Sequence, residues 1–315
     1  MTTLPQHPPE GTGRLRPSAA VARAARVLDA AGVAPARVEA ELLAAYVLGV
    51  PRGRLAIADD LADEQVARLD ELVRRRAGRE PLQHLTGRAG FRHLEVAVGP
   101  GVFVPRPETE LLAGWGVEQG RGRPDPLVVD LCSGSGAIAL AVAQELPGAR
   151  VVAVERSPAA LDWLRRNAAE RAAAGDRPIE VVEADVTAPD LLADLVGRVD
   201  VLLCNPPYVP VDVVVPPEVA GHDPAEAVFG GADGLAVIRP VVTRAAALLR
   251  AGGVFGVEHD DTHGAAVPGL LAAAGHFTAV TEHFDLTGRP RYATASRRAD
   301  GQQAFAGTAW QTDSS

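Results

Sequence analysis

The sequence predicts an α/β protein built on a mostly parallel sheet and preceded by a small helical unit. Three observations carry that expectation. At 315 residues the chain is long for one core, and roughly one domain per 100–200 residues points to two units. Apolar runs at Leu127–Leu131, Val151–Val154, Ile179–Val182, Val199–Cys204 and Val254–Val257 alternate with helical stretches, the pattern of strands buried on both faces. Upstream, from about Ser18 to Arg79, the period becomes helical, with Leu42, Leu43, Tyr46 and Val47 on one face and Val66, Leu69, Leu72 and Val73 on another.

Taken in order, residues 1–16 carry Pro, Gly and polar residues without a hydrophobic period and read as a flexible tail. Residues 17–86 form the helical domain. Over 87–104 the glycines Gly87, Gly90, Gly99 and Gly101 punctuate Phe91, Leu94, Val96, Val98, Val102 and Val104, which predicts a β-hairpin linker. Residues 105–297 hold the α/β domain, and 298–315 form a second flexible tail. Ser157 followed by Pro158 is a helix start signal. In open α/β sheets ligands bind beyond the carboxyl ends of the strands, so the residues just after each run are the candidates.

Composition narrows the function classes. Hydrophobic residues are 47% and charged residues 23%, as in an ordinary globular protein. The formal charge is −9, and all 31 basic residues are Arg. An acidic chain is ill suited to gripping a nucleic-acid backbone, which relies on basic residues displacing counterions. Cys132 and Cys204 do not make a disulfide framework, and no secretory segment or long apolar run is present. The expectation is a cytoplasmic monomer with no membrane attachment.

Two loops carry the chemistry. After the first run comes Asp130-Leu131-Cys132-Ser133-Gly134-Ser135-Gly136, leading into a helix from Ala137 to Glu145. Glycines there let a ligand approach the backbone, and amides at a helix start can meet a carboxylate. Glu155 ends the second run, placed to accept from both hydroxyls of a ribose, and Asp185 follows the third. A Gly-x-Gly turn alone is shared with nicotinamide and flavin enzymes. The carboxylate of Asp130 would serve a dinucleotide pyrophosphate poorly and a cationic amino-acid ligand well.

The second loop is the more specific signal. Asn205-Pro206-Pro207-Tyr208 directly follows the run Val199–Cys204. Two prolines remove two backbone donors and leave carbonyls free to accept. An amide or aromatic amino group offers two N–H donors, which the Asn205 side-chain oxygen and the Pro206 carbonyl can hold. Such a grip orients a poorly nucleophilic nitrogen and stabilises the positive charge that develops as it reacts. Tyr208 can pack on the acceptor or face a cation with its ring.

These residues resemble the protein-glutamine N5-methyltransferases that modify peptide-chain release factors. The likeness runs from about Val21 to Arg297. Its markers are Glu39–Leu43, Pro81–Gly87, Phe103–Glu110, Asp130–Leu140, Asn205–Tyr208, Phe229–Leu235, Gly252–Glu258 and Asp285–Arg291. The resemblance implies a class I S-adenosylmethionine-dependent methyltransferase, Rossmann-like with a seven-stranded sheet, whose helical N-terminal domain binds the release factor. The substrate would be the glutamine of a Gly-Gly-Gln loop and the cofactor S-adenosyl-L-methionine. Matching positions imply cofactor contacts at Asp130, Cys132, Ser133, Gly134, Ser135, Gly136, Glu155, Asp185, Val186 and Asn205. Substrate contacts fall on Asn205, Pro206, Pro207 and Tyr208, with Asn205, Pro206 and Tyr208 in the catalytic role. Three departures stand out: Cys132 where the family usually has Gly, Glu155 for the commoner Asp, and Val186 where some members place an aromatic residue.

Rival readings are an N6-adenine nucleic-acid methyltransferase, which would share the acceptor clamp, a glutamine methyltransferase acting on a ribosomal protein, and a binding module that has kept the fold without catalysis. The charge and the absence of a basic recognition segment weigh against the first. His259 and His263 have the spacing of a metal pair, but the segment ends a strand and no metal is expected. Cys132 and Cys204 read as small buried thiols. Arg106 and Glu108 read equally as an ion pair or as groups that position substrate.

Overall fold

A computed structural model describes residues 14–299 and 311–312. The remaining parts of the two expected tails lie outside the described residues. Within the first tail Leu15 forms an antiparallel bridge with Leu61. The chain divides into two compact units, residues 1–87 and 88–315.

The first unit is helical: α1 (Pro17–Ala30), α2 (Ala36–Leu48), a 3-10 turn (Arg52–Ile57), α3 (Asp63–Ala77) and the short α4 (Leu82–Thr86). Its core takes Leu28 from α1, Leu43 from α2, and Leu69 and Leu72 from α3, all fully buried. The face of α2 differs from the expected one. Ala40, Leu43, Ala44 and Ala45 point inward, and Tyr46 is 44% exposed, because small alanines let α1 and α3 approach closely and leave the phenol to project into solvent. Buried Arg76 pairs with Glu39, tying α3 to α2.

The second unit opens with a hairpin of β1 (Arg88–Phe91) and β2 (Leu94–Ala97). Then come α5 (Thr109–Gly120), β3 (Leu127–Leu131), α6 (Ala137–Glu145), β4 (Arg150–Glu155), α7 (Pro158–Ala173), β5 (Glu180–Glu183) and β6 (Val199–Cys204). They are followed by α8 (Pro217–His222), α9 (Ala225–Val228), α10 (Ile238–Leu248), β7 (Leu249–Glu258), α11 (Ala266–Ala273), β8 (Phe277–Phe284), β9 (Pro290–Arg297) and β10 (Gln311–Thr312). The sheet order is β10-β8-β9-β7-β6-β3-β4-β5. Strands β3 to β7 run parallel, and β9 is antiparallel to both β7 and β8. Seven strands form the sheet expected of a class I methyltransferase, and the two residues of β10, which fall in the second expected tail, add to its edge beside β8.

Alternation along the strands fills two cores. Val128, Val201 and Leu203 join α5, α6 and α7 on one face. Val129, Leu131, Leu202 and Phe255 join α10 and α11 on the other, as a sheet covered on both sides requires. The hairpin is anchored rather than free. Arg92 grips Glu145 of α6 through two bonds, the longer 2.7 Å. Asn167 of α7, 2% exposed, accepts from the Ala97 N–H and donates to the carbonyls of Ala97 and Ser135.

The topology also fixes where a ligand can sit. From β3 the sheet grows through β4 to β5 on one side and through β6 to β7 on the other, so the order reverses between β3 and β6. A crevice opens at such a reversal, outside the carboxyl ends of the strands.

Candidate active site

Leu131 at the end of β3 pairs with Cys204 at the end of β6, so the two loops of interest leave the sheet side by side. One cavity is lined by Cys132, Ser133, Gly134, Ser135, Glu155, Asp185 and Val186 on the β3–β5 side, and by Asn205, Pro206, Pro207 and Tyr208 on the β6 side. Of the expected site residues, Asp130 and Gly136 do not line it.

Asp130 lies beneath the glycine loop. It is 1% exposed, and its Oδ2 accepts from the Ala139 N–H at 3.2 Å. Burial raises its pKa to about 7, against the opposing pull of the Ser133 hydroxyl and the Ala139 N–H. The residue therefore braces the start of α6 through Oδ2, and its Oδ1 is buried with no hydrogen-bond partner. Gly136 serves packing: its φ is +86°, and an added Cβ would stand 2.5 Å from Leu164. Cys132, where the resemblance expects Gly, adopts φ +60°, a left-handed conformation that disfavours a side chain. Its thiol neighbours that of Cys204, whose pKa is pushed well up by burial and by Cys132.

Glu155 is more occupied than its position in the sequence suggests. Oε2 accepts from the Gly134 N–H, and Oε1 accepts from the N–H groups of Arg156 and Ser157, all at 2.8 Å. The extra methylene lets the carboxylate fold back on the loop. Oε1 is saturated and Oε2 keeps a lone pair, so the remaining acceptor capacity fits one ribose hydroxyl more readily than two. Asp185 accepts from the Thr187 N–H at 2.8 Å and from Arg156 at 3.1 Å, which lower its pKa, the Thr187 N–H foremost. Arg156 and Thr187 also line the cavity; no motif singled them out. Val186, with Ile138 and Val154, gives the β4–β5 side an apolar wall.

On the β6 side, side chains brace the loop. Asn205 Nδ2 donates to Thr109 Oγ1 at 3.2 Å, and the Tyr208 hydroxyl donates to Glu258 Oε1 at 2.9 Å. Burial raises the pKa of Glu258, partly offset by the hydroxyls of Thr109 and Tyr208 and by Arg291. Behind the loop, the Val209 N–H donates to the Val228 carbonyl and the Gly230 N–H donates to the Val209 carbonyl. A Cβ on Gly234 would meet the Tyr208 carbonyl at 2.3 Å, so only glycine allows residues 229–235 to press against the clamp. Phe103 and Arg106, from the stretch before α5, and Thr109, its first residue, complete the wall. Arg106 does not pair with Glu108. It meets buried Asp223 at 2.5 Å and lies 4.7 Å over the Phe103 ring. Burial raises the pKa of Asp223, and Arg106 opposes that rise.

His259 and His263 form no metal pair in the geometry: His259 Nε2 meets Glu282 at 3.1 Å and Nδ1 meets the Asp260 carbonyl at 2.9 Å. Among the described residues no group of three or more His, Cys, Asp and Glu side chains is placed to hold a metal ion, and no helix is long and apolar enough to cross a membrane.

The PrmC N-terminal domain family matches residues 19–87 and the methyltransferase small domain family matches residues 118–215. A release factor glutamine methyltransferase of Mycolicibacterium smegmatis is 55% identical over 278 residues, covering 88% of this chain and 96% of that one. The chain belongs to the release factor glutamine methyltransferase family. A Streptomyces coelicolor family member is 49% identical over 286 residues, covering 89% and 97% of the two chains. A more distant relative, a 4-amino-L-phenylalanine/4-methylamino-L-phenylalanine methyltransferase of Streptomyces pristinaespiralis, is 38% identical and covers 88% and 89%.

Proposed function

We infer that this enzyme transfers a methyl group from S-adenosylmethionine to the side-chain amide nitrogen of the glutamine in the Gly-Gly-Gln motif of a peptide-chain release factor. The observation that carries the reading is the convergence of the 132–136 and 205–208 loops on one cavity at the reversal of the sheet. The cavity residues fit the cofactor by their chemistry. Glu155 Oε2 has acceptor capacity for a ribose hydroxyl, Val186 and Ile138 offer an apolar wall to the base, and Ser133 to Ser135 bring backbone close to an amino-acid moiety. When bound, S-adenosylmethionine supplies a methyl group made electrophilic by its sulfonium.

The chain's own residues do the rest. Asn205 Oδ1 and the Pro206 carbonyl accept the two amide hydrogens and hold the group planar. As the nitrogen bonds to carbon its charge rises, the same two acceptors stabilise it more strongly than they do the ground state, and one of the two N–H protons then passes to solvent to leave the neutral methylamide. The Tyr208 ring packs on the acceptor while its hydroxyl is engaged with Glu258. The helical unit is proposed to bind the release factor, a role supported by the PrmC N-terminal domain match. The charge of −9 supports a partner recognised as protein and not through a nucleic-acid backbone. The same reading makes the enzyme a cytoplasmic monomer, its two thiols free.

The test is incubation with isotopically labelled S-adenosylmethionine and purified release factor, followed by mass spectrometry of the Gly-Gly-Gln peptide, with free 4-aminophenylalanine as a competing acceptor. Label on the glutamine side chain is expected. Label only on the aromatic amine, or on neither, would overturn the assignment.

A further inference from the structure

Two side chains behind the acceptor loop have no part in the reaction as derived. Thr109 opens α5, is 3% exposed, and accepts from Asn205 Nδ2 at 3.2 Å. Glu258 ends β7, is 1% exposed, holds the Tyr208 hydroxyl through Oε1 at 2.9 Å, and has no hydrogen bond to Oε2. They come together because Cys204 pairs with Val257 across β6 and β7, and because Leu112 and Trp115 of α5 lie against Gly256 of β7.

An asparagine amide can turn over and exchange its oxygen and nitrogen, and only the neighbours decide which way it faces. A clamp that must accept two N–H groups works in one orientation alone. A threonine hydroxyl can accept or donate, so it discriminates only if its own proton is committed elsewhere. Glu258 is placed to take that proton: its Oε2 is buried with no hydrogen bond, and the Thr109 hydroxyl works against the larger upward push of burial on its pKa.

We propose that Thr109 and Glu258 are positioning residues for the acceptor. Thr109 turns the Asn205 nitrogen toward α5 and leaves Oδ1 for the substrate amide, and Glu258 fixes both the Thr109 hydroxyl and Tyr208. The proposal rests on the clamp reading of Asn205 and adds a requirement to it.

Four variants test it, each followed by steady-state methylation of release factor and by calorimetric titration with S-adenosylmethionine. Thr109→Val keeps the shape and removes the hydroxyl; it should lower kcat about 10- to 100-fold, the scale of a misplaced reacting group, with KM for release factor and cofactor Kd within about twofold. Thr109→Ser should restore kcat to within about threefold, and Glu258→Gln should lower kcat while sparing cofactor Kd. Unchanged kcat in Thr109→Val overturns the proposal, as does failure of Thr109→Ser to rescue, or loss of cofactor binding in Thr109→Val, which would mark a packing role. Asn205→Ala separates the two levels: if it turns over like the parent the clamp itself fails, whereas an inactive Asn205→Ala beside an active Thr109→Val removes only the positioning role.

Discussion

The two walls of the cavity are built on different principles. The β3–β5 wall is mainly backbone, with the glycine loop tied down by Ser133 to Val154 and by Gly134 to Glu155. The β6–β7 wall is a set of side chains locked to side chains, Asn205 to Thr109, Tyr208 to Glu258 and Arg106 to Asp223. All three departures from the family pattern, Cys132, Glu155 and Val186, fall on the first wall. A ligand held through many small contacts tolerates exchange at any one of them, while a weak nucleophile depends on the orientation of a few groups.

Four substitutions sharpen or break that contrast. The largest effect belongs to the second wall: Asn205→Ala should lower the single-turnover rate by about 10²–10³-fold, the cost of losing one transition-state acceptor, with cofactor affinity nearly intact by calorimetry. A rate within a few-fold of the parent would erase the distinction.

Asp130 comes next. Its pKa is raised to about 7 in the folded chain from an ordinary 3.8, so between those values the folded state binds more protons than the unfolded state and stability falls as pH rises. The penalty is fully present above about pH 7. Asp130→Asn should remove that slope and stabilise the cofactor-free protein at pH 8, on the order of a few kcal/mol. Chemical denaturation at pH 5 and pH 8 gives the comparison; identical slopes for parent and variant would contradict the assignment.

Glu155→Ala should weaken cofactor binding by about 10-fold or more, since it removes a ribose acceptor and releases the Gly134 N–H, each worth about 1–3 kcal/mol if left unpaired. Calorimetry showing equal affinity would refute this. The smallest effect is expected at Cys132→Gly, which relieves a side chain held at φ +60°. Thermal melting should move upward, by no more than about 1 kcal/mol because glycine also loosens the unfolded chain. A clear drop would mean that the contact between the two thiols outweighs the backbone strain.

Much of the sheet was legible because β3, β4 and β6 are short segments dominated by Val, Leu and Ala, interrupted by few charged residues. Strands β8 and β9 were not read from the residues. Phe277–Phe284 and Pro290–Arg297 mix small, charged and polar residues, and their pairing comes from β7 and from each other. The two site loops were legible from glycines and prolines that have few other uses. The bracing of the second loop is not legible in the sequence. Thr109 stands 96 residues from Asn205, and Glu258 stands 50 from Tyr208, so their contacts exist only once α5 packs on β6 and β7. Asp130 illustrates the same limit: its burial under the loop and its bond to the Ala139 N–H arise only when α6 packs on β3.

The account turns on the orientation of one amide, and the most direct measurement is a crystal structure of the enzyme with S-adenosylhomocysteine and a Gly-Gly-Gln peptide. The glutamine side-chain nitrogen should donate to Asn205 Oδ1 and to the Pro206 carbonyl, with Asn205 Nδ2 still on Thr109. A glutamine amide bound elsewhere in the cavity, or an Asn205 turned so that its nitrogen faces the peptide, would contradict it.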